Sequence, residues 1–213
     1  LISIEALQFT NRLFIQDDDN QDDQGNDASE WLVGSNGADT IFGGAGNDTI
    51  LTFNSNDFIN GGSDDDFIWA GNGNDTIIGG SGRDRIFADN GNDLIILSDD
   101  DLIINGGNGT DTLRLTEGRD LDLSVNGVSL SLIEIFDLET DTETNILSLS
   151  SQDIIGLNIR EQLIINGSDN DTVNLNDTGW QRSGSTNGYT LYDNHDTGAT
   201  AQIADSITVN IGS

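Results

Sequence analysis

An apolar residue recurs every nine positions through the middle of the chain, and each time it stands two residues after an aspartate. The isoleucines are Ile41, Ile50, Ile59, Ile68, Ile77, Ile86 and Ile95. The aspartates are Asp39, Asp48, Asp57, Asp66, Asp75, Asp84 and Asp93. A short fixed period with one fixed acid and one fixed apolar residue is typical of a stacked parallel β-helix. Because side chains alternate along a strand, the isoleucine is expected to face the interior.

The nine-residue blocks predict two columns of aspartates. Two blocks make one full coil, so turns eighteen residues apart are expected to lie directly above one another. One column then contains Asp39, Asp57, Asp75, Asp93 and Asp111. The other contains Asp48, Asp66, Asp84 and Asp101. Each column is therefore expected to bring carboxylates of neighbouring coils close together.

The hydrophobic pattern changes on both sides of the repeats. Residues 1–33 are expected to form N-terminal capping strands (1–15) and an acidic loop (17–29), and residues 34–114 the parallel β-roll. In residues 115–213, short alternating segments separated by Gly, Asn and Asp predict a C-terminal antiparallel β module. One short helix is expected at 150–157, because a serine stands at its start. The predicted fold class is all-β.

Charge narrows the possible partners. The chain has 38 acidic residues and 7 basic ones, and its formal net charge is −31. Such a charge repels nucleic acid and anionic membranes, and no segment approaches the ~20 apolar residues of a membrane span. The chain lacks cysteine, so disulfides and thiolate metal sites are excluded. Stacked aspartates need a counter-charge, which a bound cation would supply.

The turn half of each block suits calcium. In full form it reads GGxGxD, with glycines that allow positive φ and let carbonyl oxygens point to a common centre. Ca²⁺ takes six to eight oxygen ligands from carbonyls and carboxylates alike. Besides the nine aspartates, the expected metal-site residues are Gly34, Gly37, Gly43, Gly46, Gly61, Gly73, Gly79, Gly82, Gly91 and Gly109. Roughly seven ions are expected, shared between adjacent turns.

Residues 34–114 resemble the RTX, or haemolysin-type, calcium-binding repeats of proteins exported by bacterial type I secretion. The segments GGAGND (43–48) and GGSGRD (79–84) match the repeat in full. The resemblance implies a parallel β-roll that folds on binding calcium outside the cell, so a secreted or cell-surface location is expected.

Three places depart from the repeat. The segment 52–57 (TFNSND) has no glycine, Asp64 stands where a fourth-position glycine belongs, and the register slips by one residue around 99–105. Metal sites that use the 52–57 turn or Asp101 are therefore the weakest part of the prediction.

The seventh and ninth positions of the blocks point outward, and several are large. Leu51, Phe67, Trp69, Arg85 and Phe87 are expected to lie close together on one sheet. Two interpretations are open. Trp69 and Phe87 form a strip that binds a sugar ring or a peptide, or a neighbouring part of the same polypeptide covers the strip, as apolar patches usually require.

The second half is similar to the β segment that follows RTX repeats near the C-terminus of large bacterial surface adhesins. Within it, the segment 167–174 (GSDNDTVN) is either a degenerate repeat, with Asp169 and Asp171 as ligands, or an Asx-rich turn. Trp180 and Tyr189 are candidate ligand-binding residues, with a terminal hairpin core as the alternative.

A catalytic role is not expected. The only histidine is His195, and neither HExxH nor GxSxG is present. The expected function is a calcium-binding structural module of a secreted or surface adhesin. The alternative is a module that binds glycan or peptide, or the non-catalytic C-terminal part of a secreted enzyme.

Overall fold

The structure, a computed structural model, describes residues 14–16, 22–98, 100–116, 118–123, 127–138, 143–159 and 162–212. Most of the predicted capping strands (1–13) and the start of the predicted acidic loop (17–21) lie outside the described residues. The chain divides into two compact units, Leu1–Asp111 and Thr112–Ser213.

The first unit contains strands β1 to β11. Their bounds are β1 Phe14–Gln16, β2 Asp22–Gln24, β3 Trp31–Val33, β4 Thr40–Ala45, β5 Thr49–Asn54, β6 Phe58–Ser63, β7 Phe67–Asn72, β8 Thr76–Ser81, β9 Arg85–Asn90, β10 Leu94–Ile96 and β11 Ile103–Asn105. All pairings among them are parallel. One sheet has the order β1-β3-β5-β7-β9-β11, and the other has the order β2-β4-β6-β8-β10.

Each coil of the first unit contributes one strand to each sheet. Ile41 pairs with Ile59, and Ile59 pairs with Ile77. Like the other block isoleucines, these side chains are fully buried. The β-roll predicted from the nine-residue period is confirmed, and the eighteen-residue coil follows from it.

Strands in the middle of the roll are longer than the three residues that the pattern indicates. Strand β4 continues from Thr40 to Ala45, because Gly44 and Ala45 pair with Gly62 and Ser63 of the next coil. The first residues of each predicted turn therefore extend the sheet.

The roll also begins earlier than predicted. Strand β2 lies inside the segment expected to be an acidic loop, and it pairs in parallel with β4. Strand β3 pairs with β5, and Leu32 is fully buried at the position where other blocks have isoleucine. A block with leucine at its eighth position is harder to detect in the sequence.

An asparagine ladder runs along one side of the roll. The amide nitrogens of Asn72, Asn90 and Asn108 each donate to the side-chain oxygen of the asparagine eighteen residues before, at 2.7–2.9 Å. Asn54 donates to Asn36 in the same way. Such ladders stabilise stacked strands. This ladder was not predicted, although asparagine at every eighteenth residue from Asn36 to Asn108 is its signal in the sequence.

The second unit contains β12 to β22 and one helix. The bounds are β12 Thr112–Arg114, β13 Asp120–Asp122, β14 Ser129–Ser131, β15 Ile135–Asp137, β16 Ile146–Leu149, α1 Ser151–Gly156, β17 Leu163–Asn166, β18 Thr172–Leu175, β19 Trp180–Thr186, β20 Tyr189–Asn194, β21 Thr200–Ala204 and β22 Thr208–Ile211. Helix α1 is the predicted one. Ser150 caps it in a capping box with Asp153.

The predicted antiparallel module is present as β19, β20 and β21. The rest of the unit pairs in parallel. One sheet has the order β12-β15-β17-β21, and another has the order β13-β16-β18-β22. Short alternating strands suit both kinds of pairing, so the pattern did not indicate how far the parallel coil continues.

Among the described residues, no helix is long and apolar enough to cross a membrane.

Candidate functional site

The aspartates of each column are joined by hydrogen bonds between adjacent coils. The backbone N–H of Asp57 donates to Oδ1 of Asp75 at 2.8 Å, and the N–H of Asp75 donates to Oδ1 of Asp93 at 2.8 Å. In the other column, the N–H groups of Asp48 and Asp66 donate to the aspartates eighteen residues later, at the same distance. The expected columns are thus present, and one oxygen of each linked carboxylate holds the coil beneath it in register.

The second oxygen of these carboxylates is the unusual feature. Oδ2 is buried and has no hydrogen-bond partner within the described part of the chain at Asp48, Asp57, Asp66, Asp75, Asp84 and Asp93. A buried polar atom without a partner costs about 1–3 kcal/mol, and more when it is charged. A regular row of such atoms therefore indicates oxygens that serve as ligands for a cation.

In the Asp48–Asp66–Asp84 column, each of these oxygens lies beside the glycine that begins its block. A Cβ added to Gly61 would lie 2.4 Å from Oδ2 of Asp66 and 2.5 Å from the carbonyl oxygen of Gly79. A Cβ added to Gly43 would meet Oδ2 of Asp48 at 2.6 Å and the carbonyl of Gly61 at 2.2 Å. We call the space beside such a glycine the first-position notch. Each notch combines a carboxylate oxygen with a carbonyl oxygen of the next coil, a donor set that suits Ca²⁺.

The notch at Gly79 contains two carboxylates. An added Cβ would lie 2.5 Å from Oδ2 of Asp84 and 3.0 Å from Oδ1 of Asp101. Asp101 is buried and stands one residue early because of the register slip. The slip therefore brings Asp101 to the column, in the place that a carbonyl oxygen takes in the other notches.

The opposite column has a different arrangement. Its blocks begin with Gly34, Thr52, Ala70 and Ala88, and the last three side chains are fully buried. The Thr52 hydroxyl donates to the carbonyl of Ala70 at 2.7 Å. Asp39, at the start of this column, accepts from the N–H and the hydroxyl of Ser35. Asp111 is fully buried at its other end.

The glycines divide into two groups. Positive φ occurs at Gly46, Gly73, Gly82, Gly91 and Gly109, all at the fourth position. It does not occur at Gly34, Gly43, Gly61 and Gly79. The expectation of positive φ is therefore wrong for the first position, where the missing side chain is what matters. Gly37 instead donates its N–H to the Ser35 hydroxyl.

Burial raises the pKa of six of the column aspartates, those from Asp48 to Asp93. The pKa of Asp66 is raised to about 8, and those of Asp57 and Asp93 to about 7. For Asp48 and Asp75 the value is about 6, and the pKa of Asp84 is also raised. Loss of hydration is the main cause in each case, and repulsion by neighbouring aspartates adds to it at most of these positions. A bound dication would have the opposite effect, since it favours the ionised form.

These pKa shifts predict the pH dependence of the metal-free protein. A carboxyl whose folded-state pKa is raised favours folding at pH values below its unfolded pKa, and this contribution is lost as the pH rises through the folded pKa. The metal-free chain is therefore expected to have more β-structure at pH 5 than at pH 8. Circular dichroism of protein freed of metal by dialysis measures this. A β signal that falls on acidification from pH 8 to pH 5 contradicts the prediction.

Glu30, which was not predicted as a site residue, occupies the position of the column aspartate one coil before Asp48. Its side chain is buried, and its N–H donates to Oδ1 of Asp48 at 2.8 Å. An oxygen of Glu30 and the carbonyl of Gly43 border the notch at Gly25. The signal was Gly25 five residues before an acid and Leu32 two residues after it.

In the second unit, Asp171 and Asn145 occupy equivalent turn positions, and their side chains have hydrogen-bond partners. Asp171 accepts the Asn145 N–H at one oxygen, and the Ser168 N–H and hydroxyl at the other. Asn145 takes the place of an aspartate: its oxygen accepts the Arg119 N–H, and its amide nitrogen donates to the carbonyl of Leu138. Asp169 is exposed. This geometry favours the Asx-turn interpretation of the segment 167–174.

No group of three or more His, Cys, Asp or Glu side chains converges within the described residues. The notches agree with this, because each contains one or two carboxylates and depends on backbone carbonyls for further ligands. A site of this kind suits Ca²⁺, which accepts neutral oxygens.

The candidate aromatic residues have different environments. Trp69 pairs with Leu51 and Phe87 on neighbouring strands and is 47% exposed. Trp180 is 4% exposed, and its indole N–H donates to Asp177. Trp180 therefore packs in the core, as in the alternative considered from the sequence. The Tyr189 hydroxyl donates to Asn166.

A methyl group in a notch is expected to abolish cation binding there. Gly61→Ala would place Cβ against the oxygens of Asp66 and Gly79, so we expect at least one Ca²⁺ fewer by isothermal titration calorimetry. The matched control is Gly156→Ala, whose added Cβ meets nothing within 4 Å. An unchanged stoichiometry and affinity in Gly61→Ala would show that the notch is not a ligand site.

Comparison with known families agrees with this geometry. The family described as RTX calcium-binding nonapeptide repeat matches residues 24–52, 51–86, 69–101, 78–113 and 87–121, as overlapping sets of repeats. A search of curated proteins found no match. The match begins upstream of Gly34, as does the roll in the structure. The repeat region of this chain belongs to the RTX calcium-binding nonapeptide repeat family.

Proposed function

We propose that this chain is a calcium-switched structural segment of a bacterial surface adhesin, which leaves the cell by type I secretion and folds once outside. The observation that carries the proposal is the row of buried Oδ2 atoms without partners, each on an aspartate of the roll. RTX repeats bind Ca²⁺, and the stacked aspartates fit this role. The adhesin and secretion parts are supported by the resemblance of the repeats and of residues 115–213 to such proteins.

The residues of the roll have separate roles in calcium binding. Ca²⁺ supplies the positive charge that compensates the column carboxylates. Oδ1 of each linked aspartate accepts an N–H of the preceding coil, while Oδ2 stays available as a ligand. The first-position glycines bring the carbonyl oxygens close, and the isoleucine stack excludes water from the interior. Binding energy is then folding energy, because the site exists only when the coils are stacked.

The concentration at which the chain folds tests this proposal. Extracellular calcium modules bind at ~10⁻⁴–10⁻³ M. We therefore expect the β circular dichroism of the roll to appear cooperatively in that range, and only the β signal of the second unit to be present at the micromolar level of a cytosol. Calorimetry in the same buffer gives the number of ions, for which we propose roughly seven. A chain already folded at micromolar Ca²⁺ would refute folding after export.

A second candidate function is ligand binding by the outer face of the roll. The half-exposed Trp69, which lies beside Leu51 and Phe87, favours it, since an exposed apolar patch is one mark of an interaction site.

A further inference from the structure

The outer face of the first unit presents a tryptophan between two grooves. The indole N–H of Trp69 donates to Oδ2 of Asp89 at 3.2 Å, so the ring has a fixed orientation although it is 47% exposed. One groove, of about 270 Å³, is lined by Leu51, Phe53, Trp69 and Asp89 among others. The second, of about 410 Å³, is lined by Phe67, Trp69, Phe87 and Asp89 among others. Trp69 and Asp89 therefore border both grooves.

Two of these lining residues occupy strained positions. The second position of these blocks requires a positive φ, which glycine adopts at Gly71 (106°) and Gly107 (102°). In the same row of turns, Phe53 and Asp89 adopt φ values of 75° and 77°. A residue other than glycine costs about 1–2 kcal/mol in this region. Phe53 is nonetheless 45% exposed, so burial offsets only part of the strain.

Phe53 and Asp89 are two of the eight non-glycine residues with positive φ among the described residues, and both line the grooves. Backbone strain that packing does not repay is characteristic of binding sites. Phe53 adds an aromatic wall on one side of Trp69, and Asp89 adds a carboxylate that both grooves share. Glycine at these two positions would relieve the backbone strain of the roll but would remove the aromatic ring and the carboxylate from the grooves.

We propose that these grooves bind an arginine side chain of a basic peptide segment. A guanidinium stacks on an indole face and pairs with a carboxylate, and Trp69 with Asp89 supplies both groups. No basic side chain lines either groove among the described residues. With roughly seven Ca²⁺ bound, the formal net charge of −31 falls only to about −17, which still attracts a cationic partner from a distance. A neutral sugar gains nothing from this field, and a polyanion is repelled by it.

This inference rests on the second candidate function and needs the first unit to be folded. The experiment uses the full chain in millimolar Ca²⁺, with circular dichroism confirming the fold of each variant. The probe is a short labelled peptide with two arginines in an uncharged sequence, and its counterpart has the neutral isostere citrulline in their place. Fluorescence anisotropy measures both affinities. We expect the arginine peptide to bind and the citrulline peptide not to bind.

Trp69→Ala is expected to weaken binding of the arginine peptide roughly 5- to 30-fold. The matched control is Trp31→Ala, which removes another exposed tryptophan from the same sheet and should leave the affinity unchanged. Neither variant alters the net charge, so general attraction to an acidic protein predicts equal affinities. Equal affinities would overturn the proposal. So would binding of the citrulline peptide, or of a neutral oligosaccharide, that depends on Trp69 in the same way.

The variant Phe53→Gly tests whether the strained residue at position 53 serves peptide binding at a cost in stability. The variant is expected to raise the melting temperature by about 2–4 °C, because it relieves a left-handed residue. It is also expected to weaken binding of the arginine peptide several-fold. A more stable variant with unchanged affinity would show that Phe53 does not serve the groove, and this would overturn the assignment of the strained positions to binding.

Discussion

Removal of Ca²⁺ from the full chain is expected to abolish the amide-exchange protection of residues 25–111 and to leave residues 143–212 largely protected. In the first unit, buried carboxylate oxygens without partners recur at every coil from Asp48 to Asp93. Each costs about 1–3 kcal/mol or more when charged, whereas a whole domain is stable by only about 5–15 kcal/mol. The summed cost of these six atoms is as large as that margin, so we expect the roll to unfold at neutral pH without a counter-charge.

In the second unit, the turns of Asp171 and Asn145 lack this penalty. Both oxygens of Asp171 accept from N–H or hydroxyl groups, and Asn145 replaces an acid with an amide whose nitrogen has an acceptor. Calcium therefore has no such carboxylate to compensate at these turns.

Hydrogen exchange with mass spectrometry measures both regions in one sample, with EDTA against millimolar Ca²⁺. Mg²⁺ is the control, since it demands stricter geometry and keeps its waters, and it should not restore protection. Unchanged protection of residues 25–111 in EDTA would contradict the calcium dependence. Equal loss in both regions would contradict the distinction between the units.

Asp75→Asn is expected to have opposite effects with and without calcium. The asparagine oxygen can still accept the Asp57 N–H, as Oδ1 of Asp75 does at 2.8 Å. Its amide nitrogen replaces the ionisable Oδ2. Without calcium the variant loses a buried charge and should be more stable by about 1–3 kcal/mol. With calcium it loses a ligand, so the binding should weaken, at two adjacent ions if Asp75 is shared between coils.

The structure contains a natural example of asparagine in the place of a column aspartate. Asn145 accepts a backbone N–H of the preceding coil and donates to the carbonyl of Leu138, in a turn of the second unit. Asp27→Asn is the matched control for Asp75→Asn, since it makes the same chemical change at an exposed residue. Urea unfolding in EDTA and calcium titration of both variants give the two quantities. Destabilisation of Asp75→Asn in both conditions would be inconsistent with a ligand role.

The β-roll could be predicted because its signal is repeated. Ile41 and its equivalents are equally buried, and Asp39 to Asp93 recur at one position, so each block supports the next. The block of Glu30 and Leu32 was missed because it has a different acid and a different apolar residue. Its place in the roll depends on pairing with strand β5, which a single block cannot reveal.

The second unit shows the limit of a local pattern. Its alternating segments predicted strands, and strands were found. The choice between parallel and antiparallel partners depends on connections such as the 26-residue step from Asn145 to Asp171. Trp180 is a similar case, since its burial depends on contacts that its sequence neighbours do not determine.

The sequence alone therefore determined the period, the inward isoleucines, the two aspartate columns and the preference for calcium, because these follow from residue type and spacing. The tertiary structure decided which oxygen of each aspartate stays without a partner, and why the first glycine of Asp66's block must lack a side chain. It also showed that Phe53 and Asp89 bear backbone strain on either side of Trp69. The hydrogen bonds of the aspartates and the contacts of this glycine arise only when coils eighteen residues apart are stacked, since they involve atoms of two coils.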